Sequence, residues 1–251
     1  MKVTFLGTGT SRGIPVIGCG CRVCRSANPK NKRLRSSLLV ESQVVTVVID
    51  TSVDFRAQML RQDVRRLDAV IFTHSHADHV LGLDDVFPLS VRTGRAIPAY
   101  ASPETLDQLK VTFRYLFAEN RYPGIAEVDL RVIDGPFQIG DLGFQPIEVF
   151  HGEMPVLGFR VGQLAYVTDV SRIPDSSLQR LEGLKYLILD GLRYRPHVSH
   201  FSLSQAAEIA VRLKPEMAYL IHMSHDVDHD EGNKILPPSV SLSYDGLVLE
   251  L

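Results

Sequence analysis

The 251-residue chain has no excess of basic residues: 27 Lys and Arg stand against 29 Asp and Glu, for a formal net charge of -2. That balance lacks the electrostatic footprint of a protein that collects phosphates along a nucleic-acid strand. It leaves room for a small phosphorylated substrate, which needs only a local positive site. No apolar run approaches the roughly eighteen residues required to cross a bilayer. The opening Met1–Thr10 has neither the apolar length nor the small-residue cleavage site of a secretory signal. These absences predict a cytoplasmic protein that makes no membrane contact. Cysteine is scarce, with three residues at positions 19, 21 and 24. An odd, tight cluster suits a metal better than a disulfide framework. There is no fixed-period repeat, low-complexity tract or linker. With 45% hydrophobic and 22% charged residues, residues 1–251 are expected to form one globular domain.

What the chain does contain is a succession of short apolar runs. Val3–Leu6, Ser37–Val40, Val44–Asp50 and Val70–Thr73 read as strands, with a helix expected from Phe55 to Arg65. The second half repeats the rhythm, with strands near Gly143–Phe150, Gly158–Val161, Ala165–Thr168, Tyr186–Leu189 and Met217–Ile221, a helix after Ser202, and an edge strand at Leu247–Leu251. Strands punctuated by helices in two similar halves predict an α+β fold of two mixed sheets packed face to face with helices outside. The segment Arg92–Tyr122 is expected to be an inserted helical region or flap.

Directly after the run Val70–Thr73 comes His74-Ser75-His76-Ala77-Asp78-His79. Two imidazoles two residues apart can serve one ion, while the following carboxylate and imidazole serve a second nearby. Neutral imidazole suits zinc and similar borderline metals, and the carboxylate widens the range toward manganese. Further on, His151, Asp169 and His222 each follow a predicted strand, where side chains can converge on the same point. Alone, each would more often be an exposed or capping residue. Cys19-Gly20-Cys21-Arg22-Val23-Cys24 supplies three thiolates and lacks a fourth ligand for a closed zinc site. His225 is a candidate to complete it, and His229 competes with it.

The His-x-His-x-Asp-His pattern, with His151, Asp169 and His222 in order behind it, resembles the signature of the metallo-β-lactamase superfamily. The resemblance spans nearly the whole chain and implies that family's αββα sandwich, with Thr51 where the chain turns toward the metal loop. It implies one ion on His74, His76 and His151 and another on Asp78, His79 and His222, with Asp169 bridging. Two divalent ions, zinc or manganese, would activate a hydroxide for in-line attack on a phosphodiester. The cysteine loop together with His222-Met223-Ser224-His225 is similar to the phosphoribosyl 1,2-cyclic phosphodiesterases of phosphonate degradation and their relatives, which implies one structural zinc on Cys19, Cys21, Cys24 and His225. Quinone-cofactor biosynthesis proteins carry a similar loop.

His200, just before the helix capped by Ser202 and Gln205, matches the position of a phosphate-contacting or proton-donating histidine in these families, with His197 its competitor. His200 and Asp78 are therefore the expected catalytic residues, and Arg193 and Arg195 are candidates for binding phosphate. The expected substrate is a small or cyclic phosphodiester, without nucleic acid or membrane, and a homodimer is compatible with it. The alternatives are tRNA 3′-end processing, thiolester or lactone hydrolysis, and a non-catalytic metal-binding role.

Overall fold

The computed structural model describes residues 1–118 and 124–251. Strands β1 (Lys2–Gly7), β2 (Ser37–Glu41), β3 (Thr46–Ile49), β4 (Ala69–Ile71), β5 (Ile97–Ala101) and β6 (Val128–Val132) make up most of one sheet. Strands β7 (Phe137–Ile139), β8 (Leu142–His151), β9 (Met154–Val161), β10 (Leu164–Val167), β11 (Tyr186–Asp190), β12 (Met217–Ile221) and β13 (Val240–Leu242) make up the other. The closing β14 (Val248–Glu250) returns to the first sheet and pairs antiparallel with β1 at its edge. The helices are α1 (Arg22–Arg25), α2 (Phe55–Arg61), α3 (Ala77–Val80), α4 (Phe87–Thr93), α5 (Pro103–Thr112), α6 (Asp175–Arg180), α7 (Leu203–Leu213) and α8 (His229–Lys234).

Both sheets are mixed. In the first, β1, β2 and β3 are antiparallel neighbours and β3 to β6 run parallel. In the second, β7 to β10 are antiparallel and β10 to β13 parallel. A strand with both faces covered carries apolar side chains on both, alternating between two cores. Val47 and Ile49 of β3 enter the core between the sheets while Val48 faces the core under α2. Likewise Tyr166 of β10 and Ile188 of β11 point between the sheets, whereas Val167 and Leu189 point to the core under α6 and α7. The result is the expected four-layer αββα sandwich. Each fully buried Val, Leu or Ile contributes on the order of 1.5–3 kcal/mol by leaving water.

The structure departs from the sequence reading in two places. Helix α2 ends at Arg61 and not Arg65, because Asp63 adopts a left-handed backbone with φ 49° that a helix cannot continue through. The segment Arg92–Tyr122 is not an insertion: it contributes β5, a parallel strand between β4 and β6, followed by α5. Pro98 and two alanines weaken the β signal of β5, and its place is set by tertiary pairing. The end of that segment, from residue 119, lies outside the described residues. The capping box at Ser202 is formed as expected, with Ser202 Oγ accepting from the Gln205 amide at 3.4 Å and Gln205 Oε1 accepting from the Ser202 amide at 2.9 Å.

Candidate metal centre

The parallel halves of the two sheets bring the ends of several strands to one edge, the usual location of a site in open α/β sheets. Asp50 follows β3, Thr73 and His74 follow β4, and Asp169 follows β10. Asp190 closes β11, His222 follows β12, and His151 ends β8. Three of these leave their strand in the left-handed region: Asp50 at φ 65°, Asp169 at 52° and His222 at 62°. Such backbone is costly for non-glycine residues and concentrates at functional sites. The histidine motif then runs through the short helix α3, whose exit presses against the residues after β3. A Cβ on Gly82 would fall 2.1 Å from the Ser52 carbonyl oxygen, so only glycine allows this approach.

Four imidazoles have their protons placed by their neighbours. His79 Nδ1 donates to the fully buried Asp50 carboxylate at 2.7 Å, and His151 Nδ1 to the Ser199 carbonyl at 2.7 Å. Thr73 Oγ1 gives its proton to Asp50, so at 2.9 Å from His74 Nδ1 it must accept. Ser36 Oγ gives its proton to the Gly9 carbonyl, so at 3.2 Å from His222 Nδ1 it accepts as well. In every case Nδ1 carries the hydrogen and the Nε2 lone pair is left for a ligand, the arrangement of metal-binding histidines. The Nε2 atoms of His74 and His79 are buried and have no hydrogen-bond partner, which costs about 1–3 kcal/mol each if nothing binds them.

His79 Nε2 lies 3.3 Å from Asp78 Oδ2 and 3.3 Å from Asp169 Oδ2, and His222 Nε2 lies 3.4 Å from Asp169 Oδ1. Neutral imidazoles would set acceptor against acceptor here, so the arrangement requires a cation among them, a metal ion or, without one, a proton on His79. The electrostatics show the same demand. Burial lowers the pKa of His74, His76 and His222. Burial would lower His79 too, but the carboxylates of Asp169 and Asp50 outweigh it and raise His79 well above an ordinary imidazole. Burial would raise Asp169, but His222 and His79 pull it well below the usual carboxylate range. The residues present therefore fit divalent ions.

Their grouping is more interleaved than the division into two ligand sets. Donor atoms of His74, His79 and Asp169 lie within 4.8 Å of one another, as do those of Asp78, His79 and His222, and those of His151, Asp169 and His200. His76 stands at the exposed rim, its ring 4.6 Å from that of His74 and 5.1 Å from that of His151. Thr51 sits beneath the site, its hydroxyl 3.3 Å from the Val80 carbonyl.

His200 is buried beside this group, with its ring stacked on His222 at 5.0 Å. Its Nδ1 lies 2.8 Å from Asp190 Oδ2, which also accepts from the Val170 amide. Burial lowers His200 and raises the fully buried Asp190. His197 is half-buried beside it, its ring 5.2 Å from that of His200 and its Nδ1 facing the Ser199 amide and hydroxyl. Arg193 is spent on its own loop, donating to the carbonyls of Arg195 and Pro196, and Arg195 is exposed. Asp50, Asp190, Ser36 and Thr73 were not singled out as functional in the sequence. For the two aspartates the available signal was a carboxylate ending an apolar strand, as at Asp169; for Ser36 there was none.

A second donor cluster lies at the cysteine loop. The Sγ atoms of Cys19, Cys21 and Cys24 are 3.2, 3.5 and 3.8 Å from His225 Nδ1. His229 is not among them: it begins α8, buried against Tyr244. The Cys24 amide, donating to Cys21 Sγ, holds the Cys21 thiol down at about 6, while burial pushes Cys24 up to about 11. Four soft and borderline donors around one point fit a tetrahedral zinc ion.

The sandwich and the histidine–aspartate edge define a metallo-hydrolase class, and the family description "beta-lactamase superfamily domain" matches residues 45–223. The chain belongs to that family. Among solved structures, a diphosphatase of the PhnP family superposes with a TM-score of 0.94 at 43% identity, covering 100% of this chain and 96% of that one. The zinc-bound PqqB of Methylobacterium extorquens superposes with a TM-score of 0.77 at 19% identity over 100% of both chains, a likeness of fold. A protein of Porphyromonas gingivalis named octanoyltransferase is 40% identical over 252 residues, 98% of this chain but 51% of that protein. The chain thus spans about half the length of that curated relative. No helix among the described residues is long and apolar enough to cross a membrane.

Proposed function

We propose that the protein is a dinuclear metal hydrolase that cleaves a small phosphodiester. The observation carrying this reading is the buried convergence of His79 Nε2 on Asp78 Oδ2 and Asp169 Oδ2, each at 3.3 Å, a group that needs a cation among its members. Asp169 would bridge two ions, with His74, His76 and His151 on one side and Asp78, His79 and His222 on the other. Two ions held there supply Lewis acidity toward a phosphoryl oxygen and acidify water at neutral pH. The chain's own residues do the rest. Asp50, Thr73, Ser36 and the Ser199 carbonyl hold the imidazoles of His79, His74, His222 and His151 with Nε2 inward. Asp190, its carboxyl raised by burial, holds His200 at Nδ1. With their shared proton on Asp190, the imidazole hydrogen sits on the opposite nitrogen, where it would meet a phosphoryl oxygen or protonate a leaving alkoxide.

The near-neutral charge balance supports a small substrate over a nucleic acid. The three free thiols gathered around His225 support placing the protein in the cytoplasm, where they stay reduced and can hold zinc. A second reading follows from the 43% identical neighbour: a diphosphatase cleaves a phosphoanhydride, a reaction that presents the same phosphoryl oxygens to the ions and a better leaving group to His200. Acyl transfer through a thiol is less well supported, because all three cysteines surround His225.

The test is a panel of substrates offered to protein loaded with zinc or manganese: bis-p-nitrophenyl phosphate, ribose cyclic phosphates, 2′,3′-cyclic nucleotides, a dinucleoside diphosphate, a thiolester and pre-tRNA. Turnover of the small phosphodiesters, or of the diphosphate, is expected. Turnover of only the thiolester or the pre-tRNA would contradict the proposal.

A further inference from the structure

The cysteine cluster and the hydrolytic centre are three residues apart in one stretch of chain. His222 leaves β12 in the left-handed region and enters the centre, and His225 turns the other way into the cysteines. Between them the backbone is pinned. The Met223 amide donates to the Thr8 carbonyl at 3.0 Å, the Thr10 amide to the Met223 carbonyl at 3.1 Å, and the Ser224 amide to the Leu192 carbonyl at 2.8 Å.

The cysteine loop is an excursion from β1 to β2, and its neck also grips His222. On one side of the neck, Gly9 bridges to Met223. On the other, Ser36 takes the Nδ1 proton of His222, while its own amide and hydroxyl both donate to the Gly9 carbonyl. The loop is therefore fastened to the segment after β12 at its neck through Ser36, along its return through Asn31 and Arg33, and at its tip through His225. The ties along the return toward β2 are hydrogen bonds of two buried side chains, from Arg33 to the Val227 carbonyl at 2.8 Å, from the His229 amide to Asn31 at 2.8 Å and from Asn31 to Asp228 at 2.9 Å. Beside the cysteines themselves there are an exposed Arg22–Glu231 ion pair and an exposed Asn28–Asp230 hydrogen bond. Exposed contacts of this kind contribute little, so closing the tip falls mainly to the cysteine site.

We propose that the site formed by Cys19, Cys21, Cys24 and His225 is a positioning device for His222, and that filling it with zinc sets how tightly the neighbouring catalytic ion is held. This rests on the dinuclear reading above. With the tip closed, His225 anchors the chain three residues beyond His222, Ser36 fixes the His222 tautomer from the other side, and Nε2 stays aimed at Asp169. With the tip open, His222 keeps its place in sequence but loses the lever that orients it. Partners that orient a metal ligand are commonly worth tenfold to hundredfold in affinity.

The experiment titrates metal-free protein with Mn2+ and reads free ion by electron paramagnetic resonance, with no zinc and with one equivalent of Zn2+ added first. Thiolates favour zinc over manganese, and protection of the three thiols from a thiol reagent reports that zinc occupies the cysteine site. Zinc is expected to tighten the weaker Mn2+ step by about tenfold or more. His225→Ala should abolish that gain, and His225→Cys, which restores a fourth zinc donor, should recover it. Circular dichroism reports whether each variant is folded; if His225→Ala is not, the wild-type titrations decide the matter alone. Equal Mn2+ affinity with and without zinc, in folded protein with protected thiols, would overturn the proposal. Zinc-coupled Mn2+ binding without hydrolysis of any phosphodiester would sustain it and count against the proposed function, and hydrolysis without coupling would do the reverse.

Discussion

Replacing Asp50 with asparagine alters one buried atom and should propagate to the metal ions. Asp50 has no solvent exposure, and its two oxygens accept from three donors: the Thr73 amide at 2.9 Å, the Thr73 hydroxyl at 2.9 Å and His79 Nδ1 at 2.7 Å. An asparagine of the same shape offers one oxygen. If that oxygen meets the Thr73 amide, the NH2 group faces His79 Nδ1, which must then accept. The imidazole proton moves to Nε2, onto the atom 3.3 Å from Asp78 and Asp169, and blocks the ligand lone pair. The reversed amide leaves the Thr73 amide unpaired instead. The first outcome should weaken metal binding tenfold to hundredfold, or about 1.4–2.7 kcal/mol. The metal-free fold should change less, because a buried carboxylate already carries a desolvation cost that the amide removes. Calorimetric metal titration and thermal unfolding of the metal-free protein check the two effects separately. Unchanged metal affinity in a folded Asp50→Asn protein would refute the tautomer argument.

Three other outcomes are expected. Asp169→Ala removes the group shared by both proposed ion positions and should abolish diesterase turnover and lower bound metal, as read by elemental analysis. His200→Ala should slow substrates with poor leaving groups far more than p-nitrophenyl esters, because a good leaving group needs no proton; equal losses on both would place His200 in phosphate binding. Metal binding at His79 must displace its proton, and the Asp169 and Asp50 carboxylates raise that proton's affinity. Metal affinity should therefore be weaker at pH 6 than at pH 8, and the same affinity at both would contradict the assignment.

The readable parts of the site were those whose ligand types crowd together or end an apolar run. His74 to His79 place four donors in six residues, and Asp169 and His222 follow continuous apolar runs that mark strands buried on both faces. Asp190 ends such a run too, but its role depends on His200, which comes back to it through a loop ten residues later. Asp50 depends on His79, twenty-nine residues away. Ser36 acquires its role from the neck of the cysteine loop, a closure with no local pattern. The fold was legible wherever both faces of a strand are apolar. It was not at β5, where Pro98 and alanines weaken the signal and partners on either side supply the pairing.

The most direct measurement titrates metal-free protein, its cysteine site first filled with one equivalent of zinc, with Mn2+ or Zn2+ while turnover of a small phosphodiester is recorded. Activity is expected to rise and level off at two further equivalents. Full activity at one equivalent, or two tightly bound ions with no hydrolysis of any small phosphodiester or diphosphate, would contradict the account.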